Sequence, residues 1–101
     1  MVLYNVTVGI DPTAEKEWLT WMIEKHIPDV MNTGMFVENK IFKVLSQEDE
    51  ETVSYSVQYY AESVDHVVKY LDDFAGPLVE EHKLKFHNRH VAFRTLLEQI
   101  K

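Results

Sequence analysis

The 101-residue chain has no cysteine, three prolines and only ten lysines and arginines against seventeen aspartates and glutamates. Without cysteine there is no disulfide scaffold and no thiolate metal site. The net charge of −7 argues against nucleic acid, whose phosphates are bound largely by Lys and Arg. It equally disfavours an anionic membrane surface. No apolar run approaches the roughly 18 residues of a membrane-spanning candidate. Met1-Val2-Leu3-Tyr4-Asn5 enters a strand pattern directly, where a secretory leader would have a basic start and an apolar run. These absences lead to the expectation of a soluble cytoplasmic protein, with no nucleic-acid or membrane partner. Nothing polar enough to be a linker interrupts the chain, so one domain is expected over residues 1–101. A domain this short buries only about 60–65% of its unfolded surface, so covering an exposed sheet face would help it.

What is present is alternation. Val2-Tyr4-Val6-Val8 and Val53-Tyr55-Val57-Tyr59 have the period of two of half-buried strands. Asp11 offers an N-cap and Pro12 a first helical residue. Trp18, Leu19, Met22, Ile23 and His26 follow within one helical arc, and Pro28 and Gly34 end that segment. A poorly alternating strand is expected from Met35 to Leu45, then an acidic hairpin tip at Glu48-Asp49-Glu50-Glu51. The third strand, Thr52 to Tyr60, leads into a helix capped by Ser63 with Val64, Val68, Leu71 and Ala75 on one face. Gly76-Pro77 breaks it, a further helix reaches about Phe86, and the last strand covers Val91 to Ile100. The order βαββαβ predicts an α+β, ferredoxin-like fold: a four-stranded antiparallel sheet, order 4-1-3-2, with helices on one face only.

Sorting strand residues by parity places the richer set, which includes Tyr4, Tyr55, Tyr59, Val91, Phe93 and Leu97, under the helices. The opposite set includes Leu3, Asn5, Gln58, Tyr60, Ala92, Arg94 and Leu96. That face is too apolar for open water and too polar for a dry core. It suits a two-fold interface, so a homodimer built sheet to sheet is expected. Asn5, Gln58 and Arg94 would form a polar row across three adjacent strands. It reads either as an anion-holding site, with Arg94 on a carboxylate or phosphate, or as an interface network with an acid such as Glu38 of the second copy.

His26 and His82 are the candidate catalytic residues. Both fall on apolar arcs and would look toward Tyr4, Tyr55 and Tyr59, with Trp21 at a pocket mouth or interface. Such a histidine can act as acid, base or axial ligand, although a hydrogen-bonded core histidine is the commoner case. His82, His87 and His90 lack the spacing and carboxylate partner of a metal cluster and read as a basic turn. No metal and no cofactor is called for.

Taken together, Tyr4-Asn5-Val6-Thr7-Val8, Trp18, Trp21-Met22, His26-Ile27-Pro28, Thr33-Gly34, Gln58-Tyr59 and Ala92-Phe93-Arg94-Thr95 resemble an uncharacterised bacterial family, domain of unknown function 4286. More remotely the chain is similar to the dimeric α+β barrel superfamily, which includes antibiotic-biosynthesis-type monooxygenases and haem-degrading enzymes. The resemblance implies the same sheet-to-sheet dimer. Haem-degrading members use an Asn on the first strand and a Trp and His in the second helical region. Asn5 and His82 match two of these, while both tryptophans here stand in the first helix. Three functions stay open: a small-molecule-binding dimer with its pocket between helices and sheet, a cofactor-free monooxygenase or haem enzyme using that pocket, or a non-catalytic scaffold dimer. Whether the chain is an enzyme at all is not decided by its residues.

Overall fold

The alternating segments become the two central strands. In a computed structural model describing residues 1–46 and 51–101, β1 (Val2–Ile10) pairs antiparallel with both β3 (Val53–Ala61) and β4 (His90–Glu98). β2 (Glu38–Lys43) pairs antiparallel with β3, giving the order β2-β3-β1-β4. This is the ferredoxin-like α+β sheet expected from the element order. β2 is shorter than the sequence pattern suggested, and most of the acidic tip lies outside the described residues.

Helices cover one face. A 3-10 turn, Pro12–Ala14, is capped by Asp11, whose Oδ1 accepts from the Thr13 N–H at 2.9 Å and the Thr13 hydroxyl at 2.7 Å. Helix α1 (Glu15–Trp21) then passes through a π-helical turn, Met22–His26, into α2 (Ile27–Met31). Pro28 has no N–H to give Glu24, and a wide turn ahead of it accommodates that loss. The extra residue shows in the burial: Ala14, Trp18, Met22, Ile27 and Val30 are buried, a spacing of four, four, five and three. The five-residue step crosses the π turn. It leaves Ile23 53% exposed, although regular helical phase placed it in the apolar arc, and it sets His26 beside the buried stripe.

α3 (Val64–Asp73) starts at Ser63, whose hydroxyl bonds the His66 ring Nδ1 at 2.7 Å and makes no capping bond to the backbone. The buried side of α3 is Val67 and Tyr70; Val64, Val68 and Leu71 face solvent. The expected apolar stripe exists, but the helix docks through the neighbouring one, which carries Tyr70 onto Phe36 at 4.9 Å between ring centroids. The break before α4 (Ala75–Lys85) falls at Phe74, and Gly76-Pro77 lie in the first turn of α4, where the proline needs no donor.

The register of β4 overturns one expectation. Tyr4 pairs with Leu96, Val6 with Arg94 and Val8 with Ala92, so Ala92, Arg94 and Leu96 share the helix-side face with the tyrosines. Val91, Phe93 and Leu97 lie on the helix-free face with Leu3, Gln58 and Tyr60, the reverse of the parity sorting. The sorting assumed that the richer set faces the helices. β4 is an edge strand whose helix side is covered only in part, and its apolar residues serve the other face.

Candidate functional site

The register of β4 creates a cavity. Arg94 and Ala92 from β4, Tyr4 and Val6 from β1, and Val57 and Tyr59 from β3 form its sheet side. Met22, His26, Tyr70, Val79, His82 and Lys83 close it from the helices, with His90 at the start of β4. It encloses about 120 Å³. Its solvent-exposed lining residues are Lys83, Ala92 and Arg94, so the mouth lies at the β4 edge.

Three histidines meet at the helix-side wall. His82, 8% exposed, lies 4.6 Å from His90 and 5.9 Å from His26 between ring centroids. The indole N–H of fully buried Trp18 donates to His82 Nε2 at 2.9 Å. Neutral His82 therefore carries its proton on Nδ1. Protonation would turn Nε2–H against the Trp18 N–H. Burial, reinforced by the charges of His90, His26 and Arg94, pushes the His82 pKa down to about 3. His90 Nδ1 lies 2.8 Å from the Phe86 carbonyl oxygen, which can only accept, so His90 Nδ1 carries the donated proton. His26 is also held below its ordinary pKa by burial, opposed by Glu81 and Asp29. Its Nδ1 is buried with no hydrogen-bond partner among the described residues. Trp21 stacks on His26 at 5.1 Å from outside the cavity.

On the sheet side, Arg94 Nε donates to the Tyr4 hydroxyl at 3.0 Å. Burial raises the Tyr4 pKa, with the Arg94 charge and hydrogen bond pulling it back. The Tyr59 hydroxyl is buried without a partner among the described residues, and burial drives its pKa well up. That unpaired donor is costly in a dry core.

The structure thus brings Tyr4, Tyr59, Arg94, His26 and His82 together. Tyr55 is elsewhere: its hydroxyl donates to Glu15 Oε2 at 2.5 Å and its ring packs on Trp18 at 5.0 Å. Burial and that carboxylate push the Tyr55 pKa up to about 12. Asn5 and Gln58 stay on the helix-free face, linked through Ser56, whose hydroxyl donates to Asn5 Oδ1 at 2.6 Å and accepts from Gln58 Nε2 at 3.1 Å. Arg94 leaves the row, which reduces to these two amides. Sequence reasoning missed Tyr70, Lys83 and His90. The first follows from the helical register with Val67. His90 was grouped with His82 but not given a wall of the pocket, because its position depends on the turn at Asn88, a residue with φ of 60°. Among the described residues no three His, Asp or Glu side chains converge as a metal ion requires, and no helix is long and apolar enough to cross a membrane.

The family described as Domain of unknown function (DUF4286) matches residues 1–100. The chain belongs to that family. No curated protein matches the sequence. By structure, this DUF4286 chain is similar to a dimeric ferredoxin-like protein from an uncultured marine organism. That match has a TM-score of 0.70 at 15% identity over 100% of this chain and 96% of the other. It is also similar to a candidate antibiotic biosynthesis monooxygenase from Deinococcus radiodurans, with a TM-score of 0.69 at 15% identity over 100% and 94% of the two chains. A third match is a MhuD variant with two manganese protoporphyrin IX molecules per active site. Its TM-score is 0.65 at 18% identity over 100% and 96%. Identities this low establish the shared fold alone.

The residues of the DUF4286 chain do not fit haem. His82 Nε2 is already occupied by the Trp18 N–H, Asn5 lies on the opposite face of the sheet, and a porphyrin is far larger than a 120 Å³ cavity.

Proposed function

We propose that the protein is a homodimer in which each subunit binds a small organic molecule between helices and sheet. The observation that carries this reading is a cavity walled by three histidines and by Tyr59, whose buried hydroxyl has no partner among the described residues. A core selected only for stability would not keep such a donor. The dimer is supported by the helix-free face, where Phe42, Val91, Phe93 and Leu97 are 46–67% exposed in a single chain. A second copy laid across it, sheet to sheet, would bury a contiguous apolar surface. A dimeric ferredoxin-like neighbour agrees with this.

The test is native mass spectrometry of protein taken directly from cells, followed by gentle denaturation. A dimer carrying a releasable small molecule is expected. A bare monomer at tens of micromolar would overturn the reading.

A second reading is a cofactor-free oxygenase, favoured by His26. Burial holds its ring below the ordinary histidine pKa, and its Nδ1 is buried without a partner among the described residues. A neutral imidazole at a cavity wall can take a proton from a bound phenol or enol. Oxygen uptake with phenolic compounds, lost in His26→Gln, separates this from simple binding.

A further inference from the structure

We propose that the cavity takes a carboxylate: a monoanion with an apolar body of about six carbons, its carboxylate on Arg94 at the mouth. This rests on the small-molecule reading above and adds the chemistry of the ligand. The protein carries a net charge of −7, yet every formally charged residue lining this cavity is a cation, Arg94 or Lys83. Neither has a carboxylate partner among the described residues, whereas Lys25, Lys40, Lys43 and Lys85 all do. The nearest carboxylates acting on the histidine wall, Glu81 and Asp29, are both engaged by Lys25.

Arg94 is held in place by donating Nε–H to Tyr4. Its two terminal nitrogens are left as a planar pair of donors, a geometry that matches a carboxylate in the bidentate mode. Beside the cations and histidines the lining includes the apolar side chains of Val6, Val57, Val79 and Met22, with Tyr4 and Tyr70. A cavity of 120 Å³ is somewhat smaller than the roughly 150 Å³ that accommodates benzene, and the open mouth gives the carboxylate room beyond it. The Tyr59 hydroxyl can donate to a second polar atom on the ligand body.

The experiment uses benzoate, benzamide and benzylamine as probes of one shape and three charges, followed by titration calorimetry and by histidine ring NMR signals. Benzoate is expected to bind about tenfold or more tightly than benzamide, with benzylamine weaker still. Benzoate affinity should fall as salt rises. Arg94→Gln should lower benzoate affinity to the level of benzamide. Should that variant fail to fold, the salt dependence in the natural chain and the conservative Arg94→Lys supply the same comparison. Benzamide binding as well as benzoate, with His26 and His82 signals moving for both, would overturn the carboxylate inference and leave the small-molecule reading standing. Silence from all three probes at millimolar concentration would remove both.

Discussion

Acidification should destabilise this protein through one identifiable imidazole. His82 is buried and accepts the Trp18 N–H on Nε2, and its pKa is pushed from 6.5 down to about 3. In the unfolded chain it titrates at its ordinary value. The folded state therefore binds fewer protons between these two values, so stability is fully present above about pH 6.5 and is lost as pH falls toward 3. Between pH 7 and pH 5 the unfolded imidazole takes up most of a proton and the folded one almost none. Integrating that difference gives about 1–2 kcal/mol. On a domain of this size that is a fall in Tm of roughly 5–15 °C.

The assay is thermal unfolding from pH 7.5 to pH 4.5 at one protein concentration, because self-association makes Tm depend on concentration. Other groups also titrate in this range, His26 among them in the same direction. The informative quantity is therefore the difference from His82→Gln. Its amide oxygen can still accept from Trp18, but it cannot take a proton. The variant should lose about 1 kcal/mol per pH unit of slope between pH 6 and 5. Parallel Tm–pH profiles for the two proteins would refute the reasoning, and so would an NMR titration placing His82 near 6.

Trp18→Phe removes the donor to His82 and opens a void in a fully buried position. It should cost about 2–4 kcal/mol and raise the His82 pKa, read by denaturant unfolding and ring NMR. Tyr59→Phe deletes a buried hydroxyl that has no partner among the described residues. It should be neutral or stabilising by about 1 kcal/mol while weakening small-molecule binding; a large drop in Tm would mean that the hydroxyl has a partner in the folded protein. Phe93→Lys, on the helix-free face, should leave the circular dichroism spectrum unchanged and shift the light-scattering mass from dimer to monomer. An unshifted mass would place the interface elsewhere.

The fold was legible because its two central strands alternate over nine residues each and nothing competes with that signal. Helix phase was less legible. A π turn has no sequence signature beyond the proline that follows it, and its one extra residue carried Ile23 out to solvent. The site was half legible. Tyr4 and Tyr59 lie on strands whose alternation holds, His82 lies on the buried side of α4, and His26 stays beside the buried stripe despite the π turn; all four line the cavity. Tyr55 was drawn in by the same alternation. Its position six residues from the opposite end of β3 brings its hydroxyl to Glu15 and away from the pocket. Alternation fixes a face of the sheet, and it says nothing about which end.

The β4 parity has the largest consequence. A strand shifted by one residue exchanges its two faces completely, and hydropathy is a poor guide for a strand that is an edge in the single chain. Here both faces of β4 meet apolar surroundings: one borders the cavity, and the other looks out beside Leu3 and Tyr60. The residues settle the competition by size and charge. Val91, Phe93 and Leu97 give the outer face a broad apolar surface, whereas Ala92 leaves space above Val8 and Arg94 reaches Tyr4. Had the strand run in the other register, Phe93 would sit where the cavity is and Arg94 would lie in the centre of the outer face. The register that opens a pocket is therefore the same one that turns Val91, Phe93 and Leu97 outward. The cavity wall and the apolar outer face of this strand are two consequences of one alignment.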